Sequence, residues 1–363
     1  PVLGIEIYNY ISVFEDHTES LFFIAKADTT GLKLLRDLGL KIADVVEGYL
    51  KFLVHLDVSQ YKYKPKGAKN QQSESKINND NPTVKRLYKL AQNLCMNEEL
   101  YKSITSNKRT QLPRDSEWES LQIIEPLQTQ IAMFTRPEKQ YIFPESFKNI
   151  NKHKTDGKQL LNWWLKILDN IIKQEDSSQW NCKVIIPGSD LNATVPFYLK
   201  LTPNVWSYGS IFDKNSKELA IHTIPLFPDD PKGRFLEHLV AENRYKSTSQ
   251  AQYWEELGIR QEFRLGILVG IVGCETGDLR QSTPGLYPLK LLQYKLIIEA
   301  YKSYDYLKDV SELVKEILQK VAEFGIDFKM VKGTKIVEDV SKTTAVTRAL
   351  VNNLTGLVKR RKK

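Results

Sequence analysis

The sequence contains little cysteine and no long apolar run. Three cysteines, Cys95, Cys182 and Cys274, lie far apart in 363 residues and form no CxxC pair. Such a sparse, odd-numbered set argues against a disulfide framework and predicts a reducing compartment. No apolar stretch approaches the roughly 20 residues that a membrane-spanning helix needs, and no signal-peptide pattern opens the chain. The sequence therefore disfavours secreted disulfide-rich proteins and membrane proteins.

Motifs for metal binding and for nucleophilic catalysis are also lacking. The five histidines show no ligand spacing with one another or with cysteine, so we expect no metal. There is no GxSxG motif, no Walker-type loop and no dinucleotide-binding glycine loop. Any reaction of this chain is therefore expected to proceed without a metal ion and without these nucleophile and nucleotide-binding motifs. The histidines are His17, His55, His153, His222 and His238.

Positive charge is in excess, with 52 Lys+Arg against 44 Asp+Glu and a net charge of +8. A basic balance favours acidic or phosphate-bearing partners and says nothing about the fold. The sequence ends in a basic tail, KRRKK over residues 359–363. Such a run is typical of nuclear import or nucleic-acid contact, and equally of a solvated terminus.

Hydrophobic periodicity predicts both strands and helices. Alternation predicts a strand over residues 3–13, and a short apolar run predicts a more buried strand over residues 21–25. Residues 183–187 and 219–227 are further predicted strands. Helical spacing predicts a helix over residues 36–56.

A second helix is predicted over residues 158–173, with an N-cap supplied by residues 155–157. Pro231 can occupy the first position of another helix. Residues 253–273 and 289–324 are predicted to be helical or buried. The positions expected to be buried in the second helix are Leu161, Trp164, Leu165, Leu168 and Ile172.

Residues 62–82 are almost devoid of apolar side chains, so we predict a flexible insertion there, followed by helical residues 83–105. Strands and helices interleave without regular βαβ units. The predicted fold class is therefore α/β, with a mixed β-sheet flanked by helices. The length alone permits two domains or one large one.

Between Phe134 and Lys154, basic side chains alternate with aromatic ones. Cations suit phosphates, and aromatic faces suit a flat or extended ligand. A solvated basic loop with aromatic anchors explains the same composition, and the residues alone favour that interpretation. The basic members between these two ends are Arg136, Lys139, Lys148, Lys152 and His153.

Aspartates and a tryptophan pair offer further candidates. Asp229 and Asp230 could supply a general base, although such residues more commonly form a turn and cap a helix. Asp28 follows an apolar strand, where most aspartates accept backbone hydrogen bonds. Trp163 and Trp164 point about 100° apart on a helix, so one belongs to the core and the other faces a second surface.

At these same clusters the sequence resembles a known family. The segments FTRPEKQYIFPESFKNINKHKTDGKQLLNWWLKILD (134–169) and IPLFPDDPKGRFLEHLVAENR (224–244) are similar to signature segments of the fungal-specific histone H3 lysine acetyltransferases. This family is structurally related to the CBP-type coactivator acetyltransferases. LFFIAKADTTG (21–31) and YWEELGIRQEFRL (253–265) match more weakly.

The resemblance implies a single catalytic domain over residues 1–358 with a CBP-like fold. That fold has a central twisted mixed sheet, helices on both sides and a groove for acetyl-coenzyme A at the edge of the sheet. It implies acetyl transfer to lysine side chains of histone H3, with acetyl-coenzyme A as a substrate and without a protein nucleophile.

Matching positions imply roles for individual residues. Asp230 would be the general acid or base, with Asp229 beside it, and Asp28 would organise the acetyl site or hold the amine. Trp164 would wall the acetyl group, and Lys232 matches a lysine that family members acetylate on themselves. The matched cofactor-binding positions are Ala27, Arg36, Phe134, Thr135, Arg136, Tyr141, Pro144, Ser146, Lys148 and Trp163.

The family also implies partners and a setting. The implied partners are histone H3 in H3–H4 and histone chaperones of the anti-silencing and NAP types, and no membrane partner is expected. The implied location is the nucleus, with roles in chromatin assembly, transcription regulation and the DNA-damage response. Family members carry a segment ahead of the first strand, so we expect the natural chain to extend before Pro1. A competing hypothesis is a non-catalytic, basic adaptor that binds histones or DNA.

Overall fold

A six-stranded mixed β-sheet forms the centre of the fold. The structure, a computed structural model, describes residues 2–32, 39–63, 119–189, 194, 198–199, 201–213, 217–260, 268–281, 291–304, 306 and 311–325. The strands are β1 (Leu3–Val13), β2 (Thr18–Thr29), β3 (Lys62–Tyr63), β4 (Glu119–Ser120), β5 (Leu127–Thr135), β6 (Trp180–Ile185), β7 (Trp206–Tyr208) and β8 (Gly270–Thr276).

The strand order of the sheet is β1-β2-β5-β8-β6-β7, and β3 and β4 form a separate antiparallel ladder. Two neighbouring pairs, β2 with β5 and β6 with β7, are parallel, and the remaining neighbours are antiparallel. The predicted mixed sheet is confirmed.

Helices cover both faces of this sheet. Among the described residues, none of them is long and apolar enough to cross a membrane. The helices are α1 (Ile42–Val54), α2 (Gly157–Gln174), α3 (Ala220–Thr223), α4 (Pro231–Ala241), α5 (Gln250–Ile259), α6 (Leu291–Ser303) and α7 (Ser311–Glu323).

Strand residues alternate between two hydrophobic cores because successive side chains point to opposite faces. On β8, Val272 and Cys274 pack into the core shared with α1 and α2, whereas Ile271 packs with α4 and α5. The five apolar positions predicted to be buried in α2 are all buried. Burial of each large aliphatic side chain contributes about 1.5–3 kcal/mol.

The start of α2 is defined by a capping box, as the sequence predicts. The Asp156 carboxylate accepts a hydrogen bond from the Gln159 backbone N–H, and the Gln159 side chain accepts one from the Asp156 N–H. Gly157, the first helical residue, packs so closely on Leu268 that a Cβ atom would lie 2.0 Å from the Leu268 carbonyl oxygen. This contact fixes α2 against the segment that leads into β8.

Two predictions about local structure were wrong. Residues 219–227 form the short helix α3 and a loop instead of a strand. Residues 270–273, within a run predicted to be helical or buried, are buried and belong to strand β8; a continuous apolar run does not distinguish a buried strand from a helix. Residues 62–63 form β3, although they were assigned to the insertion. The remaining insertion and the predicted helix 83–105 lie outside the described residues.

The contact of Gly157 with Leu268 yields a stability prediction. Gly157→Ala should destabilise the fold by about 1–3 kcal/mol, the usual cost of overpacking. Gly48→Ala is the matched control, because a Cβ at Gly48 in α1 meets nothing within 4 Å. Alanine is also the better helix former, so this control should stabilise the fold by about 0.5–1 kcal/mol. Urea unfolding of both variants measures the two shifts, and equal midpoints would contradict the proposed contact.

Candidate active site

A deep cavity opens where two parallel strands of the sheet separate. The pairing of β2 with β5 ends at Ile24 and Met133. Beyond that point β2 stays paired with β1 as far as Thr29, and β5 stays paired with β8 as far as Thr135. A cavity of about 1020 Å³ lies between the two diverging ends.

Aromatic side chains form one wall of the cavity. Trp163 and Trp164 of α2 both line it and meet edge to face, with ring centroids 4.9 Å apart. Trp164 is only 4% exposed and belongs to the main core, whereas Trp163 is half-buried. Trp164 thus packs in the core and also forms the floor of the cavity. Phe134 lines the cavity from β5.

Asp28, at the end of β2, holds the loop that contributes Gln140 and Tyr141 to the lining of the cavity. Its Oδ2 accepts hydrogen bonds from the backbone N–H groups of Tyr141, Ile142 and Phe143, at 2.8–3.1 Å. Its Oδ1 lies 2.7 Å from the Lys152 ammonium. We call this set of contacts the Asp28 clasp.

Lys152 is fully engaged within the clasp. Its Nζ also donates to Ser146 Oγ at 2.8 Å and to the Lys139 carbonyl at 2.9 Å. Burial opposes ionisation of the Asp28 carboxyl. The Lys152 ammonium and the three N–H donors outweigh this effect, so the pKa of Asp28 lies below its usual range.

Basic residues surround the mouth of the cavity, and several are paired with acids. Arg136 Nε lies 3.0 Å from Glu138 Oε1, and the Tyr141 hydroxyl donates to the Arg136 carbonyl at 2.7 Å. Burial raises the pKa of Tyr141. The basic lining residues are Lys26, Arg136, Lys152, His153, Lys166 and Arg234.

Asp229 is an exposed carboxylate at the rim of the cavity. Its side chain is 66% exposed, and Oδ2 lies 2.6 Å from the Lys26 ammonium. Its backbone adopts φ +55°, in the left-handed region that few residues other than glycine enter. The hydrogen bond from Lys26 lowers the pKa of Asp229.

Asp230 has the opposite environment. Its side chain is 0% exposed and forms an ion pair with the buried Lys232 ammonium, which lies over the Phe227 ring. Asp230 Oδ1 also accepts from the Lys232 backbone N–H at 3.0 Å and so caps α4, which Pro231 begins. Of the two functions that the sequence left open for this aspartate pair, the geometry shows the helix cap, whereas the general base stays a prediction.

The structure brings most of the predicted site residues to this cavity. Three others, Pro144, Ser146 and Lys148, lie on the loop held by the Asp28 clasp and do not line the cavity, and Arg36 lies outside the described residues. Asp230 and Lys232 lie beneath the rim and do not line the large cavity. The predicted residues that line it are Ala27, Asp28, Phe134, Thr135, Arg136, Tyr141, Trp163, Trp164 and Asp229.

Sequence reasoning missed two lysines that the geometry makes important. Lys26 stands two residues before Asp28 in the same strand, so the period-two rule places both side chains on one face. Lys152 was visible only as one member of a basic cluster. No signal in the sequence pairs Lys152 with an aspartate 124 residues away. Among the described residues, no group of three or more His, Cys, Asp or Glu side chains is placed to hold a metal ion.

Comparison with known proteins identifies the family. The family described as "Histone acetyltransferase KAT11-type domain" matches residues 2–353. The chain belongs to this family. The histone acetyltransferase RTT109 of Candida albicans is 34% identical over 309 residues, which cover 84% of this chain and 80% of the relative.

Two further relatives agree with this assignment. The histone acetyltransferase rtt109 of Schizosaccharomyces pombe is 32% identical over 146 residues, 39% of each chain. The crystal structure of Rtt109 from Aspergillus fumigatus has a similar fold, with a TM-score of 0.58 and 21% identity. The similarity covers 89% of this acetyltransferase and 80% of that chain.

The Asp28 clasp predicts how the stability of the acetyltransferase depends on pH. Asp28→Asn leaves the buried Lys152 ammonium without its counter-ion and should cost about 3–5 kcal/mol at neutral pH. The folded-state pKa of Asp28 lies below its unfolded value near 4. The carboxylate therefore stabilises the fold above about pH 4, and this contribution is lost as the pH falls through the folded pKa.

Denaturant unfolding between neutral and acidic pH measures this effect. The difference in free energy of unfolding between the unmutated protein and Asp28→Asn should be constant at higher pH and shrink on acidification. Asp57→Asn is the control, because Asp57 is an exposed cap that accepts only the Ser59 N–H, at 3.0 Å. A difference in free energy of unfolding that does not change with pH would show that ionisation of Asp28 contributes nothing to stability.

Proposed function

We propose that this acetyltransferase moves the acetyl group of acetyl-coenzyme A to lysine side chains of histone H3. The proposed setting is the nucleus, where chaperones of the anti-silencing and NAP types present H3–H4 during chromatin assembly and the DNA-damage response. Family membership supports the histone substrate and the acetyl-coenzyme A donor. The cavity between the diverging strands is the observation that carries the proposal.

The size and lining of the cavity suit a long anionic donor. Small-molecule sites typically enclose about 300–1,000 Å³, and this cavity of about 1020 Å³ is at the top of that range. Trp163 and Phe134 offer apolar walls for an extended pantetheine arm. Arg136 and Lys166 are cationic groups of the kind that bind phosphates through charge-assisted hydrogen bonds.

The lining also suits direct transfer from donor to acceptor. None of the described lining residues is cysteine or serine. In direct transfer the acceptor amine attacks the thioester carbonyl, a C–N bond forms, the C–S bond breaks, and the thiol leaves. The site must position both reactants and remove one proton from the amine.

We assign the predicted residues to these tasks by their place in the site. Trp164 floors the acetyl position, and Trp163, Phe134, Thr135 and Arg136 hold the coenzyme. Further coenzyme contacts are assigned to Ala27 and Tyr141, which line the cavity. For Pro144, Ser146 and Lys148, which do not line it, the assignment rests on the family resemblance alone. Asp28 acts through the loop that its clasp holds and is therefore a positioning residue.

Trp163 gives the most direct test, because its half-buried ring lines the cavity at the edge of the main core. Trp163→Ala should raise the KM for acetyl-coenzyme A about tenfold, which corresponds to ~1.4 kcal/mol of lost stacking. The measurement is transfer of labelled acetyl to H3–H4 in the presence of an anti-silencing chaperone. Tyr49→Ala, an exposed aromatic residue of α1 away from the cavity, is the control and should keep the unmutated KM.

The same assay decides between the enzyme and the adaptor hypothesis. An adaptor would bind H3–H4 without any transfer of label by the unmutated chain. Omission of the chaperone should lower the rate of transfer. An unchanged rate would remove the chaperones from the proposal.

Self-acetylation of Lys232 is part of the proposal because of its pairing with Asp230. While Lys232 is charged, the Asp230 carboxylate is committed to a buried ion pair. Acetylation would remove the ammonium and leave the carboxylate able to accept the proton of the acceptor amine. Asp230 is therefore proposed as the general base, and acetyl-Lys232 as the residue that releases it.

Mass spectrometry and kinetics together test this role. Purified active protein should carry an acetyl group at Lys232, and Lys232→Arg, which keeps the charge, should lower kcat by at least about tenfold. Lys173→Arg is the control, since Lys173 is an exposed lysine away from the cavity that also pairs with a buried aspartate, Asp169, at 2.8 Å. Full activity in protein without an acetyl group at Lys232 would refute the assignment.

A further inference from the structure

Lys26 is a cation inside the cavity with two acidic neighbours. It lines the cavity from β2, at the part of the strand that no longer pairs with β5. Its ammonium lies 2.6 Å from Asp229 Oδ2 and 3.8 Å from Glu6 Oε2. Burial disfavours the charged form, but the hydrogen bond to Asp229 and the nearby Glu6 outweigh this effect. The pKa of Lys26 is therefore raised, and the side chain is charged at neutral pH.

Other charged and titratable groups surround this pair. From β1, Glu6 accepts a hydrogen bond from the Tyr8 hydroxyl at 2.8 Å, and Tyr294 of α6 lies near the same carboxylate. Arg234 of α4 and Lys302 of α6 lie close enough to favour the ionised form of Asp229. The adjacent Asp230 is neutralised by Lys232 as long as that lysine is not acetylated, and Tyr10 of β1 lies near Asp230.

We propose that Lys26 is a positioning residue that neutralises Asp229, so that the acceptor lysine enters beside a balanced ion pair instead of a bare carboxylate. The inference rests on the proposed acetyl transfer to lysine and concerns the protonation state of the acceptor. Only the neutral amine attacks the thioester, and a free lysine has a pKa of about 10.4.

The physical argument is one of charge balance at the rim. A carboxylate within about 4–6 Å of an ammonium favours the charged form and raises its pKa by about 1–3 units. Asp229 alone would therefore attract the acceptor and hold it in its unreactive form. The Lys26 ammonium opposes this stabilisation and makes loss of the proton easier.

The experiment uses the full chain with acetyl-coenzyme A, H3–H4 and the anti-silencing chaperone, and records kcat and KM as functions of pH. Lys26→Met exposes the Asp229 carboxylate. The rising limb of the kcat–pH profile should move up by about one unit, with kcat near neutral pH lowered about tenfold and KM for H3–H4 unchanged or lower. The KM for acetyl-coenzyme A should not change. Lys26→Arg keeps the charge and should restore the unmutated profile.

Two aspartate variants separate charge from structure. Asp229→Asn should move the rising limb of the kcat–pH profile to lower pH, because the positive charge of Lys26 is then uncompensated. Asparagine tolerates the left-handed backbone of this position, so the variant is expected to fold even if Lys26→Met does not. The double variant Lys26→Met/Asp229→Asn has neither charge, and its limb should return near the unmutated position.

Lys51→Met is the matched control, because it removes a lysine from an ion pair with Glu175 at 3.0 Å away from the cavity. Its profile should equal that of the unmutated protein. The inference is overturned if Lys26→Met and Asp229→Asn leave the limb in place, or if the double variant keeps the shift of Lys26→Met. Absence of transfer by the unmutated chain would instead overturn the proposed function, and the inference with it.

Discussion

The Asp28 clasp connects the end of a central strand to the loop that forms one wall of the cavity. One carboxylate satisfies three successive backbone N–H groups and a buried ammonium. Without these partners the loop would carry unsatisfied polar groups next to a cavity, at a cost of about 1–3 kcal/mol for each buried group. The placement of Tyr141 therefore depends on a single side chain of β2. The loop contains little regular secondary structure, so the Asp28 clasp determines its shape.

The same principle of paired charges extends around the cavity. Arg136 is matched by Glu138 and Lys26 by Asp229, while Lys232 is matched by Asp230 below the rim. Exposed ion pairs stabilise a fold weakly because water screens them, and in buried pairs desolvation offsets the attraction. Their consequence lies instead in the charge that a ligand meets on entry. Lys166 and Arg234 also line the cavity, so its lining keeps more basic than acidic side chains, which suits an anionic donor.

Local signals in the sequence account for the elements, and long-range contacts account for the site. The helical period of α2 is encoded in its 18 residues and its N-cap in the preceding Asp156, and Pro231 marks the start of α4 as predicted. The run that contains β8 has no period that separates strand from helix, so its central place in the sheet was not predictable. The pairing of Asp28 with Lys152 depends on how the whole chain folds, and no local pattern reveals it.

Asp229 and Asp230 show how two adjacent residues acquire different chemistry. The left-handed conformation at Asp229 turns its side chain out to Lys26 at the rim, and the extended conformation at Asp230 turns its side chain inward to cap α4 and meet Lys232. Each carboxylate is thus balanced by its own lysine, one pair at the rim of the cavity and one buried beneath it. Because only one peptide bond separates Asp229 from Asp230, loss of the charge on Lys232 would add negative potential where Lys26 now balances Asp229. If the acceptor amine enters beside Asp229 as proposed, both ion pairs act on its pKa, because each changes the electrostatic potential at the rim.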